Sequence, residues 1–136
     1  MNLLNSFSFE LPTKIEYGVG AARCLADVIK NLNATNVLVI TDKGVMRSGL
    51  LEQITGPLEA HHLRWKVFDR VEPNPKDYNV QEGTEIASRL GPDCLVALGG
   101  GSPIDCAKAI AVVARQGGAV RDYEGPVSYT HLTLPT

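Results

Sequence analysis

The stretch LVALGGGSPIDCAKAIAVVAR, residues 95–115, joins a short apolar run to a helical pattern through three glycines and a serine. In an open α/β sheet, ligands bind beyond the carboxyl ends of the strands, where the next helix offers unpaired N–H groups to an anion. Gly99, Gly100 and Gly101 lack the Cβ atoms that would keep a phosphate from this backbone, and Ser102 adds a hydroxyl. The turn is therefore predicted to cradle a phosphate.

A purely structural interpretation of this turn is also open. Ser102 would cap the helix, Pro103 would take its first position, and Asp105 would complete a capping box. The two interpretations are compatible, because a capped helix still presents its N-terminus. No Gly-Lys-Ser/Thr follows the glycines and no GxGxxG follows the first strand, so neither a Walker A loop nor a conventional Rossmann fingerprint is present.

Outward from this turn, short apolar runs alternate with helical patterns. Strands are predicted at residues 36–41, 63–69 and from Cys94 into the glycine turn, the first and last of them buried, with two shorter β-like runs at 7–10 and 14–17. Helices are predicted at residues 21–32, 45–59 with a break near Ser48 and Gly49, 77–90 with Asp77 as cap and Gly91-Pro92 as stop, and 103–116 ended by Gly117-Gly118. This alternation predicts an α/β fold, a Rossmann-like parallel sheet with helices on both faces.

Two further polar loops follow predicted parallel strands. Asp42 ends the first strand, where a carboxylate either accepts hydrogen bonds from ribose hydroxyls and repels a 2′-phosphate, or caps the next helix. In the EPNP loop, Asn74 lies between two prolines, which should push it toward extended geometry on a stiff loop. Since parallel strands end at the same edge, these loops should converge with the glycine turn.

Composition limits the function classes. A chain of 136 residues with 44% apolar residues is long enough for one domain core, and its net charge of -2 gives no basic surface for nucleic acid or acidic membranes. Cys24, Cys94 and Cys106 are odd in number and lack CxxC spacing, which indicates reduced, packed thiols. With neither a signal peptide nor an apolar run of about 20 residues, the protein is expected to be cytoplasmic.

Four motifs then carry a family resemblance. LPTKIEYGVGA, VLVITDKG, VEPNP and GGGSPIDCAKAIAV, followed by RDYEG, resemble the N-terminal domain of iron-containing (group III) alcohol dehydrogenases over residues 12–125. The resemblance implies that the cofactor is NAD, with Gly100, Gly101 and Ser102 on its pyrophosphate, Asp42 on the adenosine ribose, and Asn74 and Asp105 near the nicotinamide. Lys76 departs from the family pattern, in which many relatives have Thr.

The resemblance also implies what lies beyond this chain. Family members add a helical second domain whose Asp and three His hold iron or sometimes zinc, and they commonly form oligomers. His61 and His62 are adjacent and lack partner ligands, so we expect them at the surface. Residues 1–126 are thus expected to be a partial NAD-binding domain, exposing apolar surface where the second domain would pack.

The tail VSYTHLTLPT, residues 127–136, is interpreted as a non-native sequence. It breaks the alternation of elements and matches the translation of a transposon-type sequencing adapter. An ordinary disordered C-terminus is the alternative interpretation.

Three functions stay open at this point. The first is the cofactor-binding half of an NAD- and metal-dependent dehydrogenase that interconverts a small alcohol and its aldehyde or ketone. The second is a nucleotide-binding fragment without catalysis, because hydride transfer needs a positioned substrate and a Lewis acid. The third is a relative of glycerol dehydrogenase or of dehydroquinate synthase, since those related folds share a similar glycine turn but match the SPID and EPNP context less well.

Overall fold

Three parallel strands lie at the centre of residues 12–123, the part of the chain that the computed structural model describes. They are β1 (Asn36–Ile40), β2 (Arg64–Phe68) and β3 (Cys94–Ala97), in the spatial order β2-β1-β3. Val37 of β1 is in register with Trp65 of β2 and Cys94 of β3. The predicted α/β class and the parallel sheet are confirmed.

The helices occupy the segments predicted for them. They are α1 (Leu25–Asn31), preceded by a 3₁₀ turn (Ala21–Cys24), then α2 (Lys43–Ser48), α3 (Leu50–Ala60), α4 (Asp77–Leu90) and α5 (Gly101–Gln116), with a 3₁₀ turn (Val120–Tyr123) after them. Gly49 separates α2 from α3 with a φ of 77°, and Gly91 ends α4 with a φ of 56°. Because glycine adopts such positive φ angles at low cost, the sequence marks both boundaries clearly.

Alternate side chains of β1 enter two separate hydrophobic clusters, one on each face of the sheet. Leu38 and Ile40 pack with residues of α4 and α5, whereas Val37 and Val39 pack with residues of α1 and α3. All four side chains are at most 1% exposed. The central strand is therefore buried on both faces, which explains its unbroken apolar sequence.

Three predictions about the strands and the start of α4 are wrong. Residues 14–17 form no strand and are exposed, since no neighbouring strand within residues 12–123 offers them hydrogen bonds. β3 is half-buried rather than buried, because β1 is its sole partner among the described strands. Asp77 is the first residue of α4 and not its cap, a position that Lys76 takes.

None of the helices within residues 12–123 is long and apolar enough to cross a membrane. The predicted strand at residues 7–10 and the tail at 127–136 lie outside the described residues.

Candidate functional site

The carboxyl ends of the three strands meet at one edge of the sheet, where a cleft of about 690 Å³ opens. Its walls come from the loop after β1, the loop after β2 and the glycine turn before α5. Of the predicted site residues, Asp42, Gly100, Gly101 and Ser102 line this cleft. The three polar loops therefore converge, as parallel topology requires.

The glycine turn needs its glycines for two different reasons. Gly99 has a φ of 139°, and a Cβ atom there would lie 2.9 Å from Cγ of Pro103, so a side chain is excluded by both conformation and space. A Cβ atom on Gly100 or Gly101 would instead meet no atom within 4 Å. The backbone at these two positions is thus bare toward open space, as a close approach by a phosphate requires.

The start of α5 differs from its prediction. The helix begins at Gly101 with Gly100 as its cap residue, so Ser102 lies in the first turn and Pro103 follows it. The proposed Ser102 cap is therefore wrong. The first N–H groups of α5 have no acceptor within the helix, and the helix dipole adds partial positive charge beside the cleft.

Asp42 has one oxygen occupied and one directed at the glycine turn. Its Oδ1 accepts the N–H of Val45 at 2.9 Å, which caps α2 as one of the two sequence interpretations predicted. Its Oδ2 would lie 3.5 Å from a Cβ atom built on Gly99. The capping role therefore leaves a carboxylate oxygen at the point where the first and third loops meet.

Asn74 connects the second loop to the glycine turn. Its backbone N–H donates to Oγ of Ser102 at 3.3 Å. Its φ is 55°, so the prediction of an extended residue before Pro75 is wrong. Asparagine tolerates this left-handed conformation better than most residues, and the tight loop uses it to bring its amide to α5.

Asp105 does not join this group. It is exposed on α5, one turn beyond Gly101, and is not among the residues that line the cleft. Its expected place near a nicotinamide stays a prediction.

Two buried polar side chains that the sequence analysis did not single out hold these loops. Thr41 is fully buried, and its hydroxyl donates to the carbonyl oxygen of Leu98 at 2.7 Å, which ties the end of β1 to the start of the glycine turn. Asn79 is 2% exposed, and its side chain forms hydrogen bonds with the backbone of Arg70 and Lys76 in the loop after β2. The sequence held two signals for these roles. Thr41 is a polar residue directly after a buried strand, and Asn79 is an asparagine in the first turn of a helix.

Charged side chains around the cleft are mostly paired. Lys43 forms an ion pair with Asp69, and Arg70 forms one with Glu82. Arg47, and the carboxylates of Asp42 and Glu72, also line the cleft.

Tyr78, also in the cleft wall, donates a hydrogen bond to Glu72, and this bond raises the pKa of the Tyr78 hydroxyl. The phenol therefore stays protonated at neutral pH.

The three cysteines show no catalytic arrangement. All are unpaired, as expected, and Cys106 is buried whereas Cys24 and Cys94 are partly buried. Burial raises the pKa of the Cys106 thiol to about 11 and also raises that of Cys94. Both therefore remain thiols at neutral pH and are poor nucleophiles.

Metal-binding side chains are not grouped in the described part of the chain. Within residues 12–123, no cluster of three or more His, Cys, Asp or Glu residues is placed to hold a metal ion. His62 is exposed, and His61 is only partly buried and lies near Asp27 and Lys30.

Another concavity, of about 500 Å³, lies at the amino end of β3. Its wall includes Leu32, Leu95, Ala111 and Ala114, without a glycine turn or a helix N-terminus. The cleft at the carboxyl edge is therefore the better candidate for a polar ligand.

Comparisons with known proteins agree on one family. The family model described as "Iron-containing alcohol dehydrogenase" matches residues 12–136. Alcohol dehydrogenase 4 of Schizosaccharomyces pombe is 38% identical over 131 residues, which are 94% of this chain and 30% of the relative. The NAD-dependent methanol dehydrogenase of Bacillus methanolicus is 33% identical over 128 residues, 94% of this chain and 34% of the relative.

Solved structures give the same result. The NADH-dependent butanol dehydrogenase A of Thermotoga maritima superposes with a TM-score of 0.83 and 32% identity, over 88% of this chain and 30% of that one. The chain thus spans about a third of the length of the relatives it matches.

Proposed function

The chain belongs to the iron-containing alcohol dehydrogenase family, and we propose that it supplies the NAD-binding half of an enzyme that transfers hydride between a small alcohol and NAD to give an aldehyde or ketone. The observation that carries the proposal is the cleft in which a bare glycine backbone, a helix N-terminus and an aspartate oxygen meet. Two of the similar proteins are named for NAD or NADH dependence, and their named alcohols are small.

The residues of the cleft fit a dinucleotide. Gly100 and Gly101 would bind the pyrophosphate through backbone N–H groups, and Ser102 would add its hydroxyl. The open oxygen of Asp42 would accept hydrogen bonds from the adenosine ribose and repel the 2′-phosphate of NADP. Asn74, bonded to Ser102, would lie toward the nicotinamide.

NAD supplies the hydride acceptor at its nicotinamide ring, and the described residues serve to bind and orient it. They do not fit the metal, because no ligand cluster occurs within residues 12–123. We therefore propose that the iron or zinc ligands lie outside residues 12–123, in the helical domain that the family resemblance implies. It follows that the chain alone should bind NAD without oxidising an alcohol.

A binding titration tests this proposal. NADH fluorescence would be titrated with the 136-residue chain, after circular dichroism has confirmed that it is folded. We expect saturable binding, and no NADH production when NAD, butanol and Fe²⁺ are supplied together. A folded chain that leaves NADH fluorescence unchanged would contradict the proposal.

A pair of valine substitutions locates the binding. Gly100→Val places a side chain in open space at the cleft, on a φ of -83° that valine adopts readily, so the fold should persist while NADH affinity falls at least about tenfold. Ala60→Val is the control, because Ala60 is exposed at the end of α3 and is not among the residues that line the cleft. If both variants bound NADH with equal affinity, the cofactor would bind at a site other than this cleft.

A further inference from the structure

Asn79 lies at the floor of the cleft, in the first turn of α4, and is 2% exposed. Its Oδ1 accepts the N–H of Lys76 at 2.9 Å, and its Nδ2 donates to the carbonyl oxygen of Arg70 at 3.1 Å. Both ends of its carboxamide are therefore engaged with the backbone of the loop after β2.

These two bonds close residues 70–76 into a ring. The loop presents a carbonyl at one end and an N–H at the other, so the closing group must both donate and accept. A carboxamide does so, whereas an ionised carboxylate accepts only and alanine does neither. Asn79 is thus matched to the loop by chemistry as well as by size.

The closed loop carries a backbone conformation that needs support. Asn74 has a φ of 55° directly before Pro75, although residues before proline favour extended geometry. Such conformations persist where the surroundings hold them. The supports are the ring closed by Asn79 and the bond from the Asn74 N–H to Oγ of Ser102.

We infer that Asn79 is a positioning residue for the cofactor cleft. It holds the loop after β2 so that the Asn74 N–H fixes the Ser102 hydroxyl beside the bare backbone of the glycine turn. The inference rests on the proposed NAD-binding function. Asn79 acts through the loop, because both of its polar atoms are used there.

The first test compares two buried polar residues. In the 136-residue chain, Asn79→Ala should weaken NAD affinity about tenfold, measured by isothermal titration calorimetry at a temperature where circular dichroism shows a folded chain. The matched control is Thr55→Val, since Thr55 is also buried, at 7% exposure, but lies in α3 against the other face of the sheet. The control should keep its affinity within about twofold of the unsubstituted chain.

The second test uses Asn79→Asp, whose side chain has the same shape. At pH 8 an ionised carboxylate would face the carbonyl of Arg70 without a proton to donate. Burial disfavours the charged form, so a larger share of the side chain is protonated at pH 5.5 than at pH 8, and the acid can then donate to Arg70 and accept from Lys76. Affinity relative to the unsubstituted chain should therefore recover at least about threefold between pH 8 and pH 5.5.

Comparing the two proteins at each pH separates this effect from other titrations. Lys76, whose N–H bonds to Asn79, is identical in both proteins. So are the other charged or titratable side chains that line the cleft: Asp42, Lys43, Arg47, Arg70, Glu72, Tyr78 and Glu82. A role limited to stability would not produce a recovery of affinity in acid.

The outcomes distinguish the two proposals. A folded, unsubstituted chain that does not bind NAD would overturn the proposed function and this inference with it. NAD binding that Asn79→Ala leaves unchanged would overturn the inference alone. Should Asn79→Ala unfold, the acid recovery of Asn79→Asp decides, and a flat ratio across pH would reject the positioning role.

Discussion

The two edges of the sheet treat their polar groups in opposite ways. At the amino edge, the Asp93 carboxylate accepts the N–H groups of Thr35 and Asn36, the shortest contacts being 2.9 and 2.8 Å. The Asn36 amide in turn donates to the carbonyl oxygens of Leu90 and Gly91, at 2.9 and 3.2 Å. These groups satisfy one another and tie β1 to the end of α4 and the start of β3.

The carboxyl edge leaves comparable groups available. The bare backbone of Gly100 and Gly101 faces open space, and one oxygen of Asp42 is not used by its cap. Buried polar side chains hold the loops from below, through Thr41 and Asn79, without filling the cleft. Polar groups that bond to one another stabilise a fold, whereas those held apart at a cleft can bind a ligand.

The largest effect on the free energy of unfolding should come from substituting a glycine at the carboxyl edge, and a glycine at the amino edge serves as the comparison. Gly99→Ala combines a φ of 139° with a Cβ only 2.9 Å from Pro103, so we expect a loss of about 2–4 kcal/mol in the free energy of unfolding. Gly91→Ala also has a positive φ, of 56°, but nothing lies within 4 Å, so its loss should be about 1 kcal/mol. Urea unfolding monitored by circular dichroism measures both, and equal losses would show that the glycine turn is not packed as described.

Removing one charge at the carboxyl edge should have a smaller effect, on the choice between NADH and NADPH. Asp42→Asn keeps an N-cap side chain for α2 but removes the negative charge that, in the proposed function, repels a 2′-phosphate. The ratio of NADPH to NADH dissociation constants should therefore fall about tenfold, equivalent to about 1.4 kcal/mol. Asp93→Asn, the same change at the amino edge, is the control and should leave this ratio alone. If neither variant changed the ratio of the NADPH and NADH dissociation constants, Asp42 would act only as the cap of α2.

Much of the fold could be predicted because its signals are local. The strand and helix positions follow from periodicity, and the boundary at Gly91 follows from glycine chemistry. The convergence of Asp42, Asn74 and the glycine turn follows from parallel topology alone, since all three follow strands.

The remaining features depend on contacts between distant segments. The left-handed Asn74 overrides the local preference before proline because its N–H reaches Ser102, 28 residues away. The partial exposure of β3 depends on which strands lie beside it, and neighbouring strands cannot be predicted from the apolar sequence of β3 itself. Asn79 could be placed in a helix from the sequence, but its carbonyl partner, Arg70, comes from the folded loop.

The smallest effect is a pH-dependent loss of stability at the amino edge. Burial opposes ionisation of Asp93, but the N–H donors of Thr35 and Asn36, with the Thr35 hydroxyl and the Asp93 backbone N–H, outweigh it, and the pKa of the carboxyl group is lowered. A carboxyl group with a lowered pKa in the folded state contributes stability above its unfolded pKa of about 3.9, and this contribution is lost as the pH falls through the folded value.

Asp93→Asn should therefore reduce the free energy of unfolding by about 1 kcal/mol at pH 7, a modest figure because water screens this largely exposed carboxylate. The difference from the unsubstituted chain should shrink below about pH 4, where the carboxyl group of the unfolded chain takes up a proton, and it should be lost as the pH falls through the lowered pKa of folded Asp93. Glu59→Gln, an exposed change in α3, should show little difference at either pH. If the Asp93 difference persisted unchanged into acid, the lost interaction would not be ionic, and the amino edge would be held by neutral hydrogen bonds and packing instead.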